Sequence, residues 1–596
     1  MELDTLNIKA DEENQIQIIQ LLPKEIIVHI IGYCWPKEKN ALMKVCKDFH
    51  VYLKDRILIM QANPATVNFD DKIKGMFCCA CESDAKKLLI WTKSLQPSDI
   101  NRKNILGMTA FHVANNDEDA QQWLIQNGAN ENKSKPQISQ LHEAVYKGDK
   151  ESVEALLATE LKKDDLNRSL KNGATPLIIA ANQGHIDIVQ LLLQADVSIN
   201  QVGASVHRRY WGIATPLYMA SKRNHLEVVR LLLNNSDVDV NQEDKDSRTT
   251  PLLIAVLKGY TEVVQLLLKT NGVNVNQADG TGGNTPLYYA SRNGKIEIVQ
   301  LLLNANGIKV NQAEGHGITT PLHVASQEGH TDIVQLLINA GADINIAGND
   351  GITPLYQASA CGRIEVVRLL LTKDGIQVNK GNNFEDTPLH IASKKGHIEI
   401  VKLLLTIDGI GVNHQKYIYG DTPLYAASEQ GYTEIVKLLL KADNIEVNKV
   451  SYNNTTPLLA ASYKGHADVA QLLINAQANI NLADILGWTP LFATSYNGHA
   501  EVVRLLLNAG ADINQPINEG WTPLCAASYK GNSTIVSLLL DDGANIHAYL
   551  LADSKIDPLI KKGDTALQIA QKKGHTDIVA LIEEYLQHEE TTRSYQ

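Results

Sequence analysis

A Thr-Pro-Leu tripeptide returns eleven times along this chain of 596 residues, beginning at Thr175, Thr215, Thr250, Thr285, Thr320, Thr353, Thr387, Thr422, Thr456, Thr489 and Thr522. Most of the intervals are 33 to 35 residues. So regular a return specifies an array of small like units and excludes a single globular core. A chain of this kind escapes the usual count of domains from length.

The unit is legible in the copy from Thr320 to Asn345, TPLHVASQEGHTDIVQLLINAGADIN. Thr320 can cap a helix N-terminus, and Pro321 suits the first helical position, where a missing N–H costs nothing. Leu322 and Ala325 share a face, and Ser326 beside Ala325 is small enough to let another helix approach. Gly329 can take the left-handed conformation that ends the helix. The next helix starts acidic at Asp332 and turns almost wholly apolar through Ile338, so it is predicted to have neighbours on more than one side. Gly341 stops it, and Asp343 to Gly351 is a polar turn leading into the next Thr-Pro. One such pair is too small to bury its apolar residues alone. Stacking many pairs gives one continuous core.

These residues resemble the ankyrin repeat: G-x-TPLH-x-A at the start, GH-x-(D/E)-(I/V)-V-x-LL in the middle and GADIN at the end. The resemblance implies an all-α solenoid of antiparallel helix pairs, with turns projecting at one edge and a concave surface that binds protein. Worn copies extend it upstream: Gly107 to Ala114 as a degraded GxTPLHxA, Leu141 to Ala144 with Gly148, and Asp84 to Ile90 as a second helix. With these, about 14 or 15 repeats are expected. Insertions lengthen two turns, around Gln201 to Gly212 and around Ile546 to Lys562.

Residues 21 to 56 carry a different pattern, LLPKEIIVHIIGYCWPKEKNALMKVCKDFHVYLKDR. Pro23 with Glu25 suits a helix start, and Ile26, Ile27, Ile30 and Ile31 follow at helical spacing. Pro36 begins a second stretch, and Val45, Phe49 and Leu53 mark a third helix. Leu22, Pro23, Glu25, Ile26, Ile30, Ile31, Tyr33, Pro36, Leu42, Val45, Cys46, Lys47 and Phe49 together resemble an F-box. That resemblance implies a small three-helix domain that docks on the Skp subunit of a cullin–RING ubiquitin ligase. Its interface would be Leu22, Pro23, Glu25, Ile26, Ile30, Leu42, Val45, Cys46 and Phe49. A helical cap for the first repeat is the open alternative, since solenoid ends need one. The expected organisation is a disordered tail over 1–15, an F-box-like domain over 16–58, degenerate repeats over 59–172, regular repeats over 173–582 with the last from about 560, and an acidic tail over 583–596.

Net charge is −12 and no Lys/Arg block stands out, which argues against nucleic-acid binding by phosphate neutralisation. No apolar run reaches membrane-spanning length. The acidic start MELDTLNIKADEEN has neither the basic end nor the apolar centre of a signal peptide. Seven unevenly placed cysteines do not form a disulfide framework, so a reducing, cytoplasmic compartment is expected. Cys78, Cys79 and Cys81 lack the second pair that a zinc site needs. His185, His225, His330, His397, His466, His499 and His575 open second helices, and His323 and His390 fill the TPLH slot. By register these are structural positions, and no HExxH spacing appears. No P-loop, dinucleotide fingerprint or nucleophile–base pair is present, so no enzymatic activity, cofactor or metal is expected.

Binding chemistry is expected from aromatic side chains. Tyr463, Tyr496 and Tyr529 stand 33 residues apart, each two positions past a small inward residue of its first helix, which turns them outward. Packed helices lie ~8–10 Å apart, so the rings should form a ladder at that spacing. Trp488 and Trp521 precede Thr-Pro, and Tyr419 and Tyr452 on preceding turns extend the strip. Arg208, Arg209, Tyr210 and Trp211 lie on the first insertion and are of the types that dominate binding hot spots. For both groups, local packing on the neighbouring repeat is the alternative.

The expected function is a non-catalytic adaptor. The F-box-like region would hold the ligase and the solenoid a target protein for ubiquitination, raising the effective concentration of one near the other. A pure scaffold, or a competitor on a host protein with no ligase link, is the other reading. Ankyrin and F-box modules also occur together in effectors of intracellular bacteria of the Legionella type, whose tails the four glutamates near the C-terminus resemble. That resemblance implies export into a host cytosol.

Overall fold

Each Thr-Pro opens a helix because the threonine satisfies a backbone donor that the helix itself cannot. In the computed structural model, ten of the eleven threonines accept the N–H three residues on, at 3.0 to 3.3 Å. Thr320 is held instead in a capping box with His323. The structure describes residues 138–594, apart from 160–162, 171–172, 203–213, 314, 316–318 and 556, together with Thr109, Leu124, Ile125 and Ala129. The expected tail 1–15, the F-box-like domain 16–58, Cys78, Cys79, Cys81 and the earliest worn copies lie outside these residues.

Among the described residues the protein is an all-α solenoid of thirteen helical hairpins, with an isolated bridge between Tyr549 and Thr565 and no strands. The chain divides into two units, residues 1–213 and 214–596. In the first, the described helices form the pairs Gln140–Lys147 with Lys150–Leu157 and Pro176–Gln183 with Ile186–Gln194, with a single turn at Lys163–Leu166 between them. The second unit holds eleven pairs, from Pro216–Arg223 with Leu226–Leu233 to Ala566–Lys573 with Thr576–Ser594. The residues expected as an acidic tail continue that last helix, to Ser594. The second insertion is a longer turn that folds on itself. Leu550 N–H donates to the Asp564 carbonyl at 3.0 Å, and Leu550 and Ile560 are fully buried.

First helices pack on the first helices of neighbouring pairs and on their own second helix. They are covered nearly all round: Pro321 to Ser326 are all buried. Second helices bury one stripe. Ile333, Val334 and Leu337 are fully buried while Asp332 is exposed. Removing each such aliphatic side chain from water is worth ~1.5–3 kcal/mol, and the stripe recurs in each second helix from Ile186–Gln194 to Ser533–Asp541.

Two sets of polar side chains join one repeat to the next. The histidine that opens a second helix reaches back to the preceding pair. His397 Nε2 meets the Ala360 carbonyl at 3.1 Å, His466 that of Glu429 at 3.0 Å, His499 that of Tyr463 at 3.1 Å and His575 that of Tyr529 at 3.2 Å. The ring lies over the glycine that ends the earlier helix. Gly465 has φ +80°, and a Cβ there would lie 2.5 Å from His499 Nδ1, so both the backbone and the neighbour demand glycine. The second set is asparagine. The Asn379 amide donates to the Gly409 carbonyl at 2.7 Å and its oxygen accepts Gly411 N–H at 2.8 Å. Asn241, Asn276, Asn311, Asn345 and Asn413 make the same paired bracket to the next turn.

The bracket sets a test. Asn379→Ala removes two hydrogen bonds whose backbone partners water can reach, and should cost ~0.5–1.5 kcal/mol in urea unfolding. Ser326 is buried at the first-helix interface with its hydroxyl unpartnered. Ser326→Ala should therefore change stability by less than ~0.5 kcal/mol.

Candidate functional site

The turns between pairs end in tips that stack by one backbone hydrogen bond per step. Tyr417 N–H donates to the Phe384 carbonyl at 2.7 Å, Tyr452 to Tyr419 at 2.9 Å and Ile485 to Asn453 at 3.1 Å. Within several tips a short polar side chain closes the turn. Asp484 Oδ1 accepts from Leu486 and Trp488 N–H, both at 2.9 Å. Side chains of consecutive tip residues are left facing water, as at Tyr417 to Tyr419 and at Ile485 with Leu486.

Many of those side chains are large and apolar. Tyr419 and Tyr452 are each 60 % exposed and Tyr463 is 45 % exposed. Phe384, Tyr417, Ile418, Ile485 and Leu486 join them, at 41 to 65 %. The sequence reading missed these five. The signal was present, since Phe384 and Leu486 stand three positions before their Thr-Pro, as Tyr419 does. Exposed apolar side chains on consecutive tips form a contiguous patch, the kind of surface that marks a protein-binding site.

The helix-borne aromatics depart from the expected ladder. Tyr496 and Tyr529 lie parallel within 13°, with centroids 6.3 Å apart, closer than the helix spacing because the rings lean together. Tyr463 and Tyr496 each meet Trp488 instead, at 6.0 and 5.1 Å. Lys530 Nζ stands 4.2 Å from the Tyr496 ring centre. Trp521 needs correction as a contact residue, because it is fully buried, edge-on to Tyr529 at 5.3 Å. The longer turn of the second insertion closes over its tip. Leu551 N–H donates to the Glu519 carbonyl, and a Cβ on Gly520 would lie 2.5 Å from Leu551 nitrogen. Arg208, Arg209, Tyr210 and Trp211 lie outside the described residues, as do the F-box-like positions Leu22 to Phe49.

A cavity of about 370 Å³ opens beside Tyr463. It is lined by Tyr425 and Glu429 of one first helix, Leu459, Tyr463 and Lys464 of the next, and Asp484, Leu486 and Trp488 of the following tip. Burial, with the nearby Glu429 and Asp421 charges, pushes the Tyr425 phenol up to about 12.

Beneath the Phe384 and Tyr419 tips lies a buried ionic chain that the sequence reading also missed. His390 has Asp386 Oδ1 2.7 Å from Nδ1 and Asp421 Oδ2 3.5 Å from Nε2, the latter an ion-pair distance without hydrogen-bond alignment. Tyr356 donates to Asp386 at 3.1 Å, and Lys416 Nζ lies 3.8 Å from Asp421 and 4.9 Å from the Tyr419 ring centre. Burial alone would keep His390 neutral, but the hydrogen bond to Asp386 and the two carboxylate charges outweigh it and raise its pKa above the ordinary 6.5. His323, in the same slot of another repeat, faces a carbonyl instead, and burial lowers its pKa. The contribution of His390 to stability is therefore full below its unfolded pKa and lost as pH rises through the raised folded value. The thermal midpoint should fall between about pH 6 and about pH 9 by more in the wild type than in His390→Gln, a difference that calorimetry across that range would read.

A family model described as ankyrin repeats (3 copies) matches residues 141–244, 217–314, 314–382, 377–451 and 458–549. Among curated proteins, none matches the chain.

Proposed function

The chain belongs to the ankyrin-repeat family, and on that premise we propose that it is a non-catalytic scaffold that binds a protein partner along the tips of its second unit. The observation that carries this is the exposed row of Phe384, Tyr419, Tyr452 and Leu486 on consecutive repeats. The helices beneath are fixed by capping and stacking, so the tips present their side chains on a preformed frame, and little ordering cost falls on binding. Trp488 at the end of its tip, and Tyr463, Tyr496 and Tyr529 on the first helices, continue that row. Among the described residues no helix is long and apolar enough to cross a membrane. Tyr452→Ala combined with Tyr463→Ala should weaken partner capture about ten-fold or more, as loss of aromatic anchors does, while circular dichroism keeps its full helical signal. Undiminished capture would remove this reading.

The finer reading is a ubiquitin-ligase adaptor, in a host cytosol if the chain is an exported effector. It rests on the resemblance of residues 16–58 to an F-box, carried by Leu22, Pro23, Ile26 and Ile30. Docking would bury those apolar side chains on Skp, and the repeats would bring the target within reach of the ligase. Purified Skp–cullin should retain the full-length protein and lose it with Leu22→Ala/Pro23→Ala. Retention that is absent in the wild type, or equal in the variant, would leave a scaffold without a ligase.

A further inference from the structure

We propose that the cavity between the Pro423–Gln430 helix, the Pro457–Lys464 helix and the Asp484–Trp488 tip receives one arginine side chain from an extended segment of the partner protein. The inference rests on the tips being the docking face and names what one point of that face recognises. Three aromatic rings, those of Tyr425, Tyr463 and Trp488, line the space. Their π faces attract a cation, and a planar guanidinium more than an ammonium, because it stacks as well as carrying charge. Tyr463 and Trp488 are inclined at 39° with centroids 6.0 Å apart, so they form two walls of one corner.

The charges point the same way. Glu429 lines the cavity and forms no ion pair among the described residues; its one side-chain hydrogen bond, from Gln430, is 3.5 Å long. A half-buried carboxylate outside any ion pair among the described residues suits the fork of a guanidinium. Asp484 adds a second negative charge, and its Oδ1 is already engaged by the tip backbone. Against these stands Lys464, exposed and likewise without an ion pair among the described residues, its Nζ 5.8 Å from the Tyr463 ring centre. It shows that the ring face accepts positive charge, and it competes for that place. A space of about 370 Å³ is at the small end of ligand pockets, which run ~300–1,000 Å³. It suits one side chain better than a whole small molecule. Exposed Tyr452 and Leu486 beside it offer apolar contact to the residues on either side of that arginine.

The test uses the full-length protein and five synthetic peptides, identical neutral sequences with arginine, lysine, citrulline, leucine or glutamate at the centre. Isothermal titration should rank arginine first, about ten-fold tighter than citrulline, the worth of one charge-assisted hydrogen bond. Glu429→Gln should abolish that ratio, and Lys464→Met should enlarge it, with unchanged urea midpoints in both. Lysine bound as tightly as arginine overturns the guanidinium assignment. Equal affinity for arginine, citrulline and leucine overturns the charge recognition and leaves the apolar tips as the docking face. Preference for glutamate, lowered by Lys464→Met and raised by Glu429→Gln, reverses the sign and overturns the proposal. No binding of any peptide overturns the site itself, whatever Tyr452→Ala/Tyr463→Ala does to capture of a whole partner.

Discussion

Among the described residues, turn after turn is tied to the next by an asparagine side chain that bonds its backbone. Asn379 shows the arrangement: one side-chain amide takes a carbonyl and an N–H of the following turn together. The same bond pair recurs at Asn241, Asn276, Asn345 and Asn413, so it marks one register between neighbouring turns. The histidines that open second helices do the same on the other side of the hairpin, reaching back to the preceding helix end. Apolar burial supplies most of the stabilisation, and these polar brackets decide which of the near-equivalent stackings is adopted.

The same division of labour separates support from recognition. First helices are buried almost completely, and second helices keep one polar face. Neither has much freedom to change. The tips are joined by one backbone hydrogen bond per step, and their large apolar side chains, Phe384, Tyr419, Tyr452 and Leu486 among them, stay exposed. The His390 chain is an exception among the repeats, because Tyr356 and Tyr425 fill its slot on either side. There an ionic link between two tips replaces a simple contact, and the Tyr419 tip above it carries Lys416 as part of that link.

Much of the fold was legible in the sequence because its signals are local. Thr at the cap, Pro after it and Gly at the helix end act within a few residues, and a repeat states them many times over. What could not be read depends on neighbours distant in the chain. Nothing around Trp521 foretells its burial, and the turn that meets the neighbouring Glu519 and Gly520 comes from about 30 residues further on, at Leu551. The partners of His390 are Asp386, close by, and Asp421, a full repeat away. The asparagine bracket was visible as a recurring letter, yet its bonds reach the next repeat, and the stretch reads as an ordinary polar turn. Tyr463, Tyr496 and Tyr529 lie on first helices, but the tilt that brings Trp488 between Tyr463 and Tyr496 belongs to side-chain packing rather than to helical register.

The lengthened turn around Ile546 to Lys562 carries one more implication. It adds buried residues of its own, Leu550 and Ile560, yet the helix after it still begins on a threonine, Thr565, boxed with Gln568. A lineage built this way can graft a new loop onto one rung and leave every other rung unaltered. A change of what such a molecule grasps can thereby be confined to one turn, while the capped helices on either side keep their geometry.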